Sequence, residues 1–367
     1  MIFGAIGNTD QPRSKYRRAS GHIDAGRCLR TSVLLVALLS IGCERPPAPG
    51  SAPLAQAPAA AADPLPSWND GANKKAILDF VARVTHTGGR DFVPVEQRIA
   101  TFDNDGTLWA EQPLYFQMLF MLEQVKAAAP RHPEWQANSA FRALAAHDEK
   151  ALAQIGHKPL LELIAVANSG MSVDVYDRTI RDWLATARHP VTKRRFTDMV
   201  YQPMLELLAY LRANAFKTFI VSGGSVEFMR PWVERAYGIP PEQVIGSQTD
   251  VTFSVEGDQP TLTRDARIAF VDDGPGKPEG IYRHIGRRPI FVFGNSDGDQ
   301  QMFQYTASGV GAHFVGLVHH TDGRREWAYD RESHVGRLAA ALDEARRRNW
   351  TVVDMAADWK VIYPEEK

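Results

Sequence analysis

Short apolar runs constrain this chain of 367 residues most, because each ends in a polar turn and is followed by a segment with helical spacing. Arg98–Phe102, Thr218–Val221, Gln243–Ser247, Pro289–Phe293 and Phe314–Val318 are too short for helices and too uniformly apolar for strands with one wet face. Between and around them, Ala72–Thr87, Met204–Asn214, Ser225–Tyr237, Gly280–Gly286, Gln300–Thr306 and Ser333–Arg348 carry apolar residues at helical intervals. Arg346–Arg348 would sit in the last turn of the final one, where basic groups suit the helix dipole. Strands alternating with helices imply a parallel sheet covered on both faces. Val251–Val255 and Thr261–Thr263 read as short extended pieces around a turn at Glu256-Gly257-Asp258.

One region breaks the alternation. From Pro113 to Pro203 the pattern is helical, with segments expected at Pro113–Ala129, Pro133–Phe141, Leu160–Asn168 and Val173–Ala187. The expected fold class is α/β, a Rossmann-like parallel sheet with helices on both faces and a helical cap inserted after the first strand. The expected domains are a core of residues 67–112 and 204–367 and a cap of residues 113–203.

The N-terminal part has another texture. Ser32–Gly42 is a short apolar run after Arg27 and Arg30, and it ends Ser40-Ile41-Gly42-Cys43, the layout of a signal peptide. It is too short to span a bilayer. The small residue before Cys43 resembles a bacterial lipobox, with Ser40 where that pattern usually has Leu. The resemblance implies export to the periplasm or cell surface, acylation at Cys43 and contact with a membrane only through that anchor. Residues 44–66 hold seven Pro and eight Ala and read as an extended tether. Cys28 and Cys43 are the only cysteines, so the part after the tether has none. A formal net charge of −1 gives no sign of nucleic-acid binding.

In open parallel sheets, ligands bind at the carboxyl ends of strands. The first strand ends in Asp103-Asn104-Asp105-Gly106-Thr107-Leu108-Trp109, two acids two residues apart before a turn. Side chains alternate along a strand, so Asp103 and Asp105 share a face if the extended geometry persists through the turn, and two close carboxylates ask for a cation, a shared proton or a nucleophile's role. The second strand is followed by Ser222-Gly223-Gly224, a hydroxyl and free main-chain amides suited to an anion. Lys277 stands in a Gly/Pro-rich stretch just before a helix, where its ammonium would neutralise a phosphate. A later strand leads into Asn295-Ser296-Asp297-Gly298-Asp299.

These four segments, in this order, resemble motifs I to IV of the haloacid dehalogenase superfamily, over Gln97–Met302. The resemblance implies Asp103 as nucleophile, Asp105 as proton shuttle, Ser222 and Lys277 as catalytic groups with Gly223 and Gly224 on the substrate phosphate, and Mg²⁺ held among Asp103, Asp105, Asn295, Asp297 and Asp299. Asn295 replaces the family's usual first acid of motif IV. An Asp at position 105 points to phosphate chemistry rather than dehalogenation. The Ser-Gly-Gly form and the helical insert resemble phosphoserine phosphatases, which read substrate with a glutamate near the place of Glu111, one residue from register. Phe116, Met118 and Phe120 are candidates for a pocket wall near the cap entry, and His319-His320 for a polar loop at the site rim. The expected activity is a phosphomonoesterase on small phosphorylated metabolites, with transfer to an alcohol acceptor or a non-catalytic binding lipoprotein as alternatives.

Overall fold

The computed structural model describes residues 62–146, 148, 151, 155 and 166–364. The signal-peptide-like and lipobox-like segments and most of the tether lie outside these residues, as does most of the expected helix Leu160–Asn168. Seven strands form one sheet: β1 (Ile99–Phe102), β2 (Lys217–Ser225), β3 (Val244–Glu256), β4 (Gln259–Phe270), β5 (Phe291–Gly294), β6 (Phe314–His319) and β7 (Thr351–Asp354). Their order is β4-β3-β2-β1-β5-β6-β7. All neighbours run parallel except β3 and β4. The chain thus starts in the middle, builds outwards to one side, and returns past β1 to build the other. That reversal of direction is where such sheets open a crevice at their carboxyl ends.

Alternation sends successive residues to opposite faces. Phe291 and Phe293 join one core with Phe102 and Phe314, while Val292 joins the other with Val315 and Leu317. On the first face, α1 (Ala72–Thr85) brings Phe80 against Phe291 and Phe314, at ring-centroid distances of 5.8 and 5.6 Å. Emptying Phe291 to alanine would leave a cavity among five rings, a change that costs about 3–5 kcal/mol. The same core holds α2 (Phe116–Ala128), α3 (Ser139–Ala146), α4 (Val173–Thr186), α5 (Gln202–Ala213) and α6 (Val226–Tyr237). The second face is covered by α7 (Gly276–His284), α8 (Gln300–Ala307) and α9 (Ala340–Arg348). A short α10 (Met355–Asp358) follows β7.

Four sequence expectations change. The two short extended pieces are one long antiparallel pair, β3 with β4, closed at Glu256↔Gln259. Lys277 is inside α7 rather than before it. The last long helix begins at Ala340, not Ser333, and the residues before it run irregularly toward the sheet edge. β7 and α10 were not expected; Thr351–Asp354 pairs with β6 from Gly316↔Thr351 to His319↔Asp354. Among the described residues between Pro113 and Pro203, α2, α3 and α4 are the α-helices described from end to end, and no strand of the sheet occurs. Residues 61–367 pack as one unit. No helix among the described residues is long and apolar enough to cross a membrane.

Candidate active site

Parallel pairing brings three strand ends together. Phe102 lies beside Ile220 of β2 and Phe293 of β5, and the Asp103 amide continues the ladder to the Phe293 carbonyl at 3.0 Å. The chain then doubles back. The amides of Thr107, Leu108 and Trp109 donate to the Asn104 carbonyl at 3.1, 2.8 and 3.3 Å, and the Gly106 amide donates to Trp109 O at 2.9 Å. Gly106 has φ +71°, and a β-carbon there would stand 2.0 Å from Asn295 Nδ2, so only glycine serves. The turn is clamped from both sides. Tyr237 donates to Asn104 Oδ1 at 3.0 Å, and His320 Nε2 meets Gly106 O at 2.7 Å.

A cavity of about 70 Å³ opens over this turn, lined on its polar side by Asp103, Asp105, Glu111, Ser222–Gly224, Asp273, Lys277 and Ser296. Helix α2 and the residue before it supply the other wall through Tyr115, Gln117, Met118 and Met121. Lys277 is fully buried and makes three bonds: Asp103 Oδ1 at 2.7 Å, Asp299 Oδ1 at 2.6 Å and Val221 O at 2.9 Å. Burial works against its charge, and the two carboxylates more than offset that, leaving the ammonium firmly protonated. Asp103 is pushed well above the usual carboxylate range, first by burial, then by the negative charge of Asp299, with Asp105 adding and Lys277 opposing. One ammonium is therefore too little positive charge for this site.

Asp299 is spoken for: its Oδ2 accepts from the Asn295 and Ser296 amides at 3.0 Å each. Asp297 does not reach the cavity. Its Oδ1 accepts from the Ala339 and Ala341 amides at 2.9 Å each and so caps α9. The expected ligand role of Asp297 is thereby corrected, because the turn points that oxygen at a helix end instead of at Asp103. Asn295 is buried behind the turn, with Thr107 Oγ1 donating to its Oδ1 at 3.1 Å and its Nδ2 donating to Glu111 Oε1 at 2.7 Å. Among the described residues no three His, Cys, Asp or Glu side chains are spaced to hold a metal. The hard oxygens that face the cavity for an ion are those of Asp103 and Asp105, in a pocket lined by four carboxylates and one ammonium, while Asn295 stands behind them and does not line it. That set fits Mg²⁺, which accepts a few protein oxygens and keeps waters, and it does not suit metals that seek thiolate or imidazole ligands.

Glu111 lies in the cavity wall, 1% exposed. Burial holds its carboxyl well above the ordinary value, against the pull of the Tyr329 hydroxyl that donates to Oε1 at 2.7 Å. Gly336, at φ +65°, passes so close that a β-carbon there would overlap Glu111 Oε1 at 1.8 Å. Met118 lines the cavity as expected of a wall residue, whereas Phe116 and Phe120 are core. Asp273, Gln117, Tyr115 and Tyr329 are additions that the motifs did not reveal. The doublet Asp272-Asp273 ahead of Lys277, and the single amide Gln117 in an otherwise apolar stretch, were the readable hints.

A model of the haloacid dehalogenase-like hydrolase family matches residues 100–304, more than half of the chain. The chain belongs to the haloacid dehalogenase-like hydrolase family. A comparison with curated proteins gives no match. Similar solved structures include a protein of unknown function from Bordetella pertussis Tohama I, at 14% identity and TM-score 0.46, covering 71% of this chain and 99% of that one. A conserved functionally unknown protein from Anaerococcus prevotii DSM 20548 is 13% identical at TM-score 0.49, covering 80% and 96%. A probable phosphoserine phosphatase from Vibrio cholerae is 14% identical at TM-score 0.37, covering 63% and 58%. In this haloacid dehalogenase-like hydrolase, the family match spans every segment that builds the polar side of the cavity and stops before the strap that carries Tyr329 and Gly336.

Proposed function

We propose that this hydrolase is a Mg²⁺-dependent phosphomonoesterase acting on small organic phosphates through an aspartyl-phosphate intermediate. The observation that carries the reading is the convergence of Asp103, Asp105, Ser222 and Lys277 on one small cavity. Lys277 fixes Asp103 through Oδ1, which leaves Oδ2 as the atom for attack. That oxygen would bond to phosphorus as the ester P–O bond breaks, and the leaving alkoxide would take its proton from Asp105. Asp105 would then accept a proton from water, whose oxygen attacks phosphorus and frees orthophosphate and the Asp103 carboxylate. Asp105 is steadied for this by Trp109 Nε1, which donates to its Oδ1 at 2.9 Å.

Ser222 and the amides of its turn would hold the phosphoryl oxygens, with Lys277 supplying charge. Asp103 and Asp105 would hold the ion, which when bound supplies positive charge that offsets repulsion between carboxylate and phosphate. The methionines of α2 and the small volume favour a compact leaving group. Export and acylation at Cys43 remain part of the proposal on the strength of the N-terminal sequence.

The test is release of orthophosphate from a panel of monoesters, with and without EDTA, by wild type and Asp103→Asn. Metal-dependent release that Asp103→Asn abolishes is the expected result. Wild-type turnover by Asp103→Asn would remove the covalent route. Absence of release from the whole panel would leave a binding protein on this fold. Phosphorylated alcohol appearing with an added acceptor would make it a transferase.

A further inference from the structure

Gly106 has φ +71° and no side chain, so nothing of its own resists rotation of the peptides on either side of it. Both are held from elsewhere. On one side the Gly106 amide donates to Trp109 O at 2.9 Å. On the other the Gly106 carbonyl meets His320 Nε2 at 2.7 Å. The first bond lies within the turn. The second comes from a residue that directly follows β6 and stands 214 positions later in the chain. A third bond closes the circuit, since Trp109 Nε1 holds Asp105 Oδ1 at 2.9 Å. Moving the Gly106 carbonyl would strain both of the other bonds and so disturb Asp105.

A carbonyl can only accept, so Nε2 of His320 carries a hydrogen. The partner of the other nitrogen sets how the ring is aimed. Nδ1 meets Glu326 Oε2 at 3.2 Å, and Glu326 is itself fixed: Tyr201 donates to Oε1 at 3.0 Å and the Trp327 amide to Oε2 at 2.6 Å. The side chains of His320 and Glu326 are 1% and 0% exposed, so solvent does not compete for these bonds. The imidazole also stacks on Tyr329 with centroids 4.4 Å apart, and the Tyr329 amide donates to His320 O at 3.0 Å. Tyr329 is the residue whose hydroxyl holds Glu111. One short segment, His320–Tyr329, therefore secures two parts of the cavity, the turn after Asp105 and the buried Glu111.

We propose that His320 is a positioning residue of the active site, its ring aimed by Glu326 so that Nε2 locks the Gly106 peptide and thereby holds the Asp105 carboxylate in place for proton transfer. His320 touches neither substrate nor the reacting atoms. Packing alone would be served by any flat ring and would not require a nitrogen at the Gly106 carbonyl, at the short end of the N–H···O range. Both His320 and Glu326 lie beyond residue 304, where the family match ends, so none of the four motifs assigns them. As regards turnover the proposal rests on the phosphatase reading; as regards the turn it stands on these bonds alone.

The test uses two amides of unequal length in the full chain. In His320→Gln the side-chain nitrogen can stand where Nε2 stands. In His320→Asn it reaches only as far as Nδ1, which keeps a donor for Glu326 and leaves none for Gly106. Amide hydrogen exchange over residues 104–110 is compared with that over α1. His320→Asn is expected to speed exchange of the turn by at least about tenfold while α1 stays within about twofold of wild type, and His320→Gln to recover most of the protection. Equal exchange of the turn in the two variants, or a better protected turn in His320→Asn, would overturn the proposal, because support through Glu326 alone gives that order. With p-nitrophenyl phosphate, His320→Asn should lower kcat about a hundredfold with KM within about threefold, and His320→Gln should regain at least about tenfold. Equal kcat in the two variants would overturn the positioning role. The unmodified chain supplies a further readout should a variant not fold: long-range nitrogen–proton NMR should show a hydrogen on His320 Nε2, and a bare Nε2 would overturn the bond. Exchange and NMR need no turnover, so this inference and the phosphatase reading fail separately.

Discussion

Replacing Lys277 by methionine keeps the stem and deletes the charge. The ammonium is 2% exposed and bonds Asp103, Asp299 and the Val221 carbonyl at 2.7, 2.6 and 2.9 Å. Without it, two buried carboxylates face each other with no counter-charge, and deleting one partner of a buried ion pair costs about 3–5 kcal/mol. With a urea slope of about 3 kcal/mol per molar for a chain of this size, the unfolding midpoint should fall by roughly 1–1.5 M at pH 7. The sign with pH follows from Asp103, whose acid form is already favoured by burial and by Asp299. Loss of Lys277 removes the charge that opposes this and raises Asp103 further. A group whose folded pKa is raised above its unfolded value penalises folding at high pH and ceases to do so as pH falls. The deficit should therefore shrink from pH 7 to pH 5, and Asp299→Asn added to Lys277→Met should recover part of it. A midpoint within about 0.3 M of wild type at pH 7, or a deficit equal at both pH values, would refute the view that Lys277 neutralises this pair.

Gly336→Ala should destabilise by more than about 2 kcal/mol in thermal melts, since the added carbon overlaps Glu111 Oε1, while Gly311→Ala, at φ +96° with open space around it, should cost only about 1 kcal/mol of backbone strain. Asp297→Ala should lose about 1 kcal/mol through the cap of α9 and keep turnover within about twofold, whereas Asn295→Ala should lower turnover at least about a hundredfold at fixed Mg²⁺. Asp272 is fully buried and its carboxyl is held well above the ordinary value, by burial first, with Asp273 adding and Lys277 opposing. The unfolded chain ionises this acid above about pH 4 while the fold keeps it protonated, so Asp272→Asn should gain stability over wild type at pH 7 and lose that advantage near pH 4.

The strands that carry the motifs were legible because a parallel sheet buries both faces of a strand, which writes a short unbroken apolar run into the chain. β1 and β5 are buried at every position. β3 is buried at its first four residues and open beyond them, so only its start, Val244–Ser247, could be read as a covered strand. Its outer half is held by pairing with β4, and main-chain pairing leaves no signature in side-chain type. Ser333–Ala339 carries residues at helical intervals yet is not helix. Its polar groups serve distant partners instead: the Ser333 hydroxyl and the Val335 carbonyl both accept from Gln112 Nε2, and the Gly336 amide donates to the Tyr115 hydroxyl. A local pattern cannot report a bond made more than two hundred residues away.

Glu111 shows why spacing fails as a measure of distance at this site. Counted from Asp103, it stands one residue from where the phosphoserine-phosphatase pattern places its glutamate. The count presumes that each residue advances the chain by a fixed amount, and between Asn104 and Trp109 it does not. Three successive amides there converge on one carbonyl and Gly106 turns with positive φ. Past such a turn, what places a side chain is who receives it. For Glu111 that is the Tyr329 hydroxyl and the Asn295 amide at 2.7 Å each, with Gly336 giving the room. Asn295 thus stands where the family usually has an acid and holds a buried carboxyl at the same time. An aspartate there would accept where Asn295 now donates, so Asn295→Asp restores the family's usual residue at the cost of repelling Glu111. Asn295 and Glu111 are accordingly one unit, and a change to either is to be read with the other in place.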